Sequence, residues 1–102
     1  MNISVLTPDR QIFVGAIKSV ILPGTLGEFQ IKDRHAPLVS SLTSGSITLS
    51  TSGEFQLYDD EAKGLSEAQS TARTITFGIE RGFVEVLNNE VSLLVQGVRN
   101  LR

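Results

Sequence analysis

At 102 residues, with 40% hydrophobic against 20% charged positions, the chain has the size of one domain, 1–102, able to bury a core without disulfides or metals. Its formal net charge of −2 and nine scattered Lys and Arg residues leave no clustered basic surface for nucleic acid. The absence of cysteine excludes a disulfide scaffold, a zinc-thiolate site, an iron–sulfur cluster and a cysteine nucleophile.

No run approaches the roughly 18–20 apolar residues that a membrane-spanning helix needs, so any membrane association is expected to pass through a partner. In chain order, strands are expected at Asn2–Leu6, Ile12–Leu22, Leu26–Ile31, Pro37–Leu42, Gly45–Thr51, Glu54–Tyr58, Thr74–Ile79, Gly82–Leu87 and Val91–Val95. The clearest carry period-two alternation. Ile47, Leu49 and Thr51 alternate with Ser46, Thr48 and Ser50, and Ile75, Phe77 and Ile79 with Thr74, Thr76 and Gly78. Turn chemistry separates them at Thr7-Pro8-Asp9, Pro23-Gly24, Ser44-Gly45, Ser52-Gly53 and Asn88-Asn89.

Two stretches depart from simple alternation. Ile12–Leu22 is apolar on both parities, which reads as a strand that switches its facing at a bulge near Gly15; the alternative is a strand covered on both sides. Asp59–Arg73 holds helix formers, with Ala62, Leu65, Ala68 and Ala72 at loosely helical spacing. It reads as a long inserted loop with a helical turn or two, either a mobile excursion or a partner-specific contact. Short Val-, Ile- and Thr-rich strands at this spacing make the fold all-β: an antiparallel sandwich of about ten strands or a small barrel.

Chemistry-bearing residues are sparse. His35 is the only histidine, and Asp33 two residues away makes no metal set. No serine stands in a nucleophile-elbow context, and Gly24-Thr25-Leu26-Gly27 leads into a strand and lacks the Lys-Ser/Thr ending of a phosphate loop. No catalytic residue, metal or cofactor is expected. The dense region is Pro23–Gly45, where Gly24 and Gly27 bracket a two-residue tip, parity places Phe29 and Ile31 inward and Glu28 outward, and Ala36 before Pro37 is held extended. His35 reads as a turn residue bonded to nearby backbone, or as part of a polar rim with Glu28 offered to another subunit.

These residues carry a resemblance. Gly24-x-x-Gly27-Glu28-Phe29-x-Ile31, His35-Ala36-Pro37-Leu38, Leu42-x-x-Gly45 and Gly82-Phe83-Val84-Glu85-Val86 before Val91-x-Leu93-Leu94 resemble the epsilon subunit of the F-type ATP synthase. Ile3-x-Val5-x-Thr7-Pro8 and Ile12-Phe13-x-Gly15 fit its opening strands, so the similarity spans nearly all of the chain except Asp59–Arg73. The resemblance implies a ten-stranded, non-catalytic β-sandwich at the foot of the central stalk that couples proton or sodium flow to ATP synthesis. It implies peripheral attachment, through the complex, to the cytoplasmic face of a bacterial plasma membrane. Thr25, Leu26, Gly27 and Glu28 would face the c ring, and Thr7, His35 and Ser40 the gamma subunit. The family's C-terminal helical hairpin is not carried by a chain ending at Arg102, a natural short subunit or a trimmed one, so inhibition and nucleotide sensing through it do not transfer. Gln30 stands where many members have glycine. A free-standing peptide- or carbohydrate-binding sandwich is the alternative; the chain has no Trp and one Tyr, and four of its five Phe are assigned to the core.

Overall fold

A computed structural model of the chain describes residues 1–101, and within them every regular element is a strand. The strands are β1 (Asn2–Leu6), β2 (Gln11–Gly24), β3 (Gly27–Lys32), β4 (Leu38–Leu42), β5 (Gly45–Asp59), β6 (Gly64–Leu65), β7 (Thr74–Ile79), β8 (Arg81–Leu87) and β9 (Glu90–Gln96). Alternation dictates their packing. In β7 the buried residues are Ile75, Phe77 and Ile79, and in β9 they are Val91, Leu93 and Val95, with polar neighbours outside at most intervening positions.

The two long strands, β2 and β5, are shared between the layers of the sandwich. The first half of β2 pairs with β1, its second half with β3, and β5 runs antiparallel beside β2 almost throughout. One layer therefore reads β4–β8–β9–β1 and on into the first half of β2; the other joins β3, the second half of β2, the first half of β5 and β7. Pairing is antiparallel with one exception: β1 lies parallel to β9. The expected antiparallel sandwich is otherwise present. The exception follows from topology, since β1 fills the slot between β2 and the outer edge of the β8–β9 hairpin.

The facing switch in β2 is present, three residues beyond Gly15. Ile17 pairs with Thr51 and Ser19 with Ser50, so Lys18 is the extra residue. Phe13 and Ile17 point inward before it and Val20 and Leu22 after it, which is why both parities are apolar. Gly15 serves close approach instead: a Cβ there would stand 2.3 Å from the Phe55 Cβ. Beside it the Phe13 and Phe55 rings stack with centroids 5.5 Å apart.

Ser52-Gly53 does not turn the chain. β5 continues through it as one strand, with Ser52, Gly53 and Glu54 bulged opposite Ala16. The helical turns expected within Asp59–Arg73 are also absent, and the segment returns along β5. Phe55 and Gln69 exchange backbone hydrogen bonds of 2.8 Å, Ser66 N–H donates to the Leu57 carbonyl, and the buried Thr51 Oγ1 accepts the Arg73 N–H at 2.7 Å. Weak helix propensity, interrupted by Gly64, gives way to the unpaired edge that β5 offers.

Candidate functional site

One surface, one seam and the β1–β2 turn contain the residues singled out above, and a second surface adds residues of its own. The first surface is the hairpin tip between β2 and β3. Gly24 pairs with Gly27, leaving Thr25 and Leu26 as the turn. Gly27 takes φ +126°, a conformation that only glycine adopts without strain, whereas Gly24 is needed for space, since a Cβ there would stand 2.8 Å from the Phe29 ring. Leu26 is as exposed as a side chain can be (103%), and Thr25, Gly27 and Glu28 are exposed beside it. The tip thus presents one large apolar side chain flanked by a carboxylate.

The seam lies where β3 ends and β4 begins. His35 sits in the connection and is exposed; its N–H donates to the Lys32 carbonyl at 3.1 Å and its ring Nδ1 bonds the Ala36 carbonyl at 2.7 Å. The turn is tied to the β8–β9 hairpin by Asn89. The Asn89 Oδ1 accepts the Arg34 N–H at 2.7 Å while its Nδ2 donates to the Asp33 Oδ1 at 2.9 Å. The Met1 ammonium donates to the same Asp33 oxygen at 2.7 Å. Those hydrogen bonds, the ammonium first and the Asn89 amide second, hold the Asp33 carboxyl below its usual range. Arg34 and Asn89 both take left-handed backbone, each at φ 63°.

His35 and Glu28 are not neighbours. Glu28 is at the tip end of β3 and His35 lies beyond the other end, so four strand residues, roughly 13 Å, already separate Glu28 from Lys32. Ser40, partly buried on β4, is on the His35 side of the seam, and its hydroxyl donates to the Ser41 carbonyl. Thr7 caps the β1–β2 turn: its Oγ1 accepts the Asp9 and Arg10 amides, and its own N–H donates to the Arg10 carbonyl at 2.8 Å.

The second surface escaped the sequence reading. On the outside of β1–β9–β8, Leu6, Leu94 and Phe83 pair in one row across three strands and are 37%, 50% and 39% exposed. Val39 on β4, at 60%, extends the apolar area beyond the row. With Thr7, Pro8 and Arg81 the row lines a shallow groove of about 390 Å³. The signal was available: with Val5, Val84 and Leu93 inside, Leu6, Phe83, Leu87 and Leu94 are the apolar residues on the solvent parity, and Leu6, Phe83 and Leu94 are the ones in register. Three such residues in register form a patch of the kind that docks a partner. Among the described residues no three His, Cys, Asp or Glu side chains gather as metal ligands, and no helix is long and apolar enough to cross a membrane.

A sequence model of the family described as "ATP synthase, Delta/Epsilon chain, beta-sandwich domain" matches residues 1–59. The ATP synthase epsilon chain of Chlorobium limicola is 36% identical over 97 residues, covering 95% of this chain and 90% of that one. The chloroplastic epsilon chain of Cyanidioschyzon merolae is 32% identical over 99 residues, 97% of this chain but 61% of that one. Among solved structures, a chain from the central stalk and c-ring of the Tetrahymena thermophila mitochondrial ATP synthase superposes with a TM-score of 0.62 at 12% identity. That superposition covers 98% of this chain and 66% of the other. A chain of the Euglena gracilis mitochondrial ATP synthase, in an assembly of OSCP, F1 and c-ring, gives 0.65 at 15% identity over 95% of this chain and 51% of its own. The all-β sandwich is therefore shared with those chains. On the family model and the Chlorobium relative together, the chain belongs to the ATP synthase Delta/Epsilon family and comprises its β-sandwich domain.

Proposed function

We propose that this chain is a non-catalytic rotor subunit in the central stalk of a proton-translocating F-type ATP synthase. It binds the gamma subunit and the c ring so that ion flow and ATP synthesis stay coupled, and it is peripheral to the cytoplasmic face of a bacterial plasma membrane through the complex. The observation that carries the reading is the exposed apolar row Leu6–Leu94–Phe83, which ends on β1 next to Thr7 and faces Ser41, the neighbour of Ser40, on β4. A protein that transmits torque needs a stiff body and a broad contact, and the row spans the sheet as a patch instead of a pocket. On this reading Thr7, His35 and Ser40 border the gamma contact. Thr25, Leu26, Gly27 and Glu28 form the separate c-ring contact, Leu26 as its apolar anchor and Glu28 as a rim charge that sets register and salt sensitivity.

The test is capture of the purified gamma subunit of the same synthase. Leu94→Glu places a charge in the row and is expected to weaken capture at least tenfold without changing the fold, whereas Leu26→Ser leaves it unchanged. The reverse is expected for capture by the c ring. Gamma binding that is indifferent to Leu94→Glu, or absent in the unaltered chain, overturns the assignment.

A further inference from the structure

We infer that the partner docking on the outer face also adds a β-strand to the open edge of β4. This deepens the gamma-docking reading and rests on it. β4 is paired along its whole length with β8, yet on its other side only Leu42 has a strand partner, Gly24. The Thr43 N–H crosses to the Pro23 carbonyl at 2.9 Å, which shows the side to which odd-numbered backbone groups point. Because N–H and C=O directions alternate along a strand, the N–H and C=O of Val39 and the N–H of Ser41 point the same way. Among the described residues, no strand pairs with Val39 or Ser41 on that side.

An open edge is normally defended by charge, by a covering segment or by a bulge. β4 reads Leu-Val-Ser-Ser-Leu, with no charged residue, and it runs without a bulge in register with β8. Pro37 precedes it and limits any added strand at that end. The residues beside the edge say what it accepts. Val39 projects outward at 60% exposure, and a groove of about 250 Å³ lies against it between Pro37, Val39 and Leu87. Ser41 pairs with Phe83, so the row Leu6–Leu94–Phe83 ends one strand short of the edge, with the Ser41 side chain next in line and Val39 two residues along β4. An extended segment with apolar side chains at alternate positions would pair with the open backbone groups and cover Val39, extending the outer face by one strand. Lone side-chain docking on the face would leave the Val39 and Ser41 amides in water. The occupant is therefore an extended strand of the docked partner.

Residue-resolved amide exchange of the labelled chain, alone and with the gamma subunit, tests this. Val39 and Ser41 exchange freely in the isolated chain and are expected to slow at least tenfold in the complex. Ser41→Pro deletes one outward amide and is expected to weaken gamma binding at least tenfold with an unaltered melting temperature; Ser41→Ala, which keeps the amide, binds as the unaltered chain does. Gamma binding that leaves both amides exchanging at their free rates overturns strand addition while the docking surface stands. Failure of the gamma subunit to bind at all overturns the docking reading and the added strand with it.

Discussion

At the scale of single residues, the clearest device is the Asn89 side chain, whose two ends bind two different residues of the turn that carries His35. Its amide joins the β8–β9 hairpin to the β3–β4 connection, two loops more than fifty positions apart in sequence. Asn89→Gly keeps the left-handed backbone and removes both hydrogen bonds, so chemical unfolding should show a loss of roughly 1–2 kcal/mol; an unchanged midpoint would show the clamp to be idle. Asp33 gives the same clamp a pH dependence. Its folded-state pKa lies below the usual 3.8, drawn down by its hydrogen bonds to the Met1 ammonium and Asn89. The carboxylate therefore contributes stability that is present above the unfolded pKa and is lost as pH falls through the lower folded value. Asp33→Asn is expected to flatten that part of the acid limb in a thermal-melt series below about pH 4, and an acid limb identical to the unaltered chain's would refute the assignment.

At the scale of elements, the bulged β2–β5 pair joins the two layers, and its weak points are steric. Gly15→Ala would press a methyl group against the Phe55 backbone and Cβ, so it should cost on the order of 2–3 kcal/mol in equilibrium unfolding. Gly27→Ala has open space around it but inherits φ +126°, and a smaller loss of about 1–2 kcal/mol is expected from backbone strain alone. In β7, Phe77 is 1% exposed at the centre of an alternating strand, so Phe77→Ala should leave a cavity worth roughly 3–5 kcal/mol. A loss under about 1 kcal/mol would contradict the register of β7 on β5. Alternation in β7, β8 and β9 could be read directly because each has one wet face and one dry one. Ser52-Gly53 misled because turn composition describes what a free chain prefers. Here β2 and the returning Gln69 segment grip β5 from both sides, and the two residues are absorbed as a bulge.

At the scale of the whole molecule, the candidate contact surfaces lie on separate parts of the sandwich. A polar depression between the Thr7–Arg10 turn, Tyr58 and the segment around Arg99 brings Arg10, Arg81 and Arg99 together with Asp9, Asp60 and Glu80. A phosphate chain placed there would meet as many carboxylates as guanidinium groups. Added ATP is accordingly expected to leave the melting temperature unchanged, and a concentration-dependent rise would reveal a nucleotide site.

What the amino-acid order determined by itself was local. Most strands and their inward faces, the Asn-Asn hairpin and the glycine-bounded tip follow from side-chain period and backbone preference within a few residues. The motifs around Gly27-Glu28 and His35-Ala36-Pro37 pointed to the family on the same local terms. Tertiary structure alone decided how those pieces combine. It set the parallel β1–β9 pair, moved the facing switch to Lys18, laid Asp59–Arg73 along β5, and placed Glu28 and His35 at opposite ends of β3. It also lined up Leu6, Leu94 and Phe83, which are individually ordinary exposed residues. Only strand register, fixed by which faces must be buried together, makes them one continuous surface.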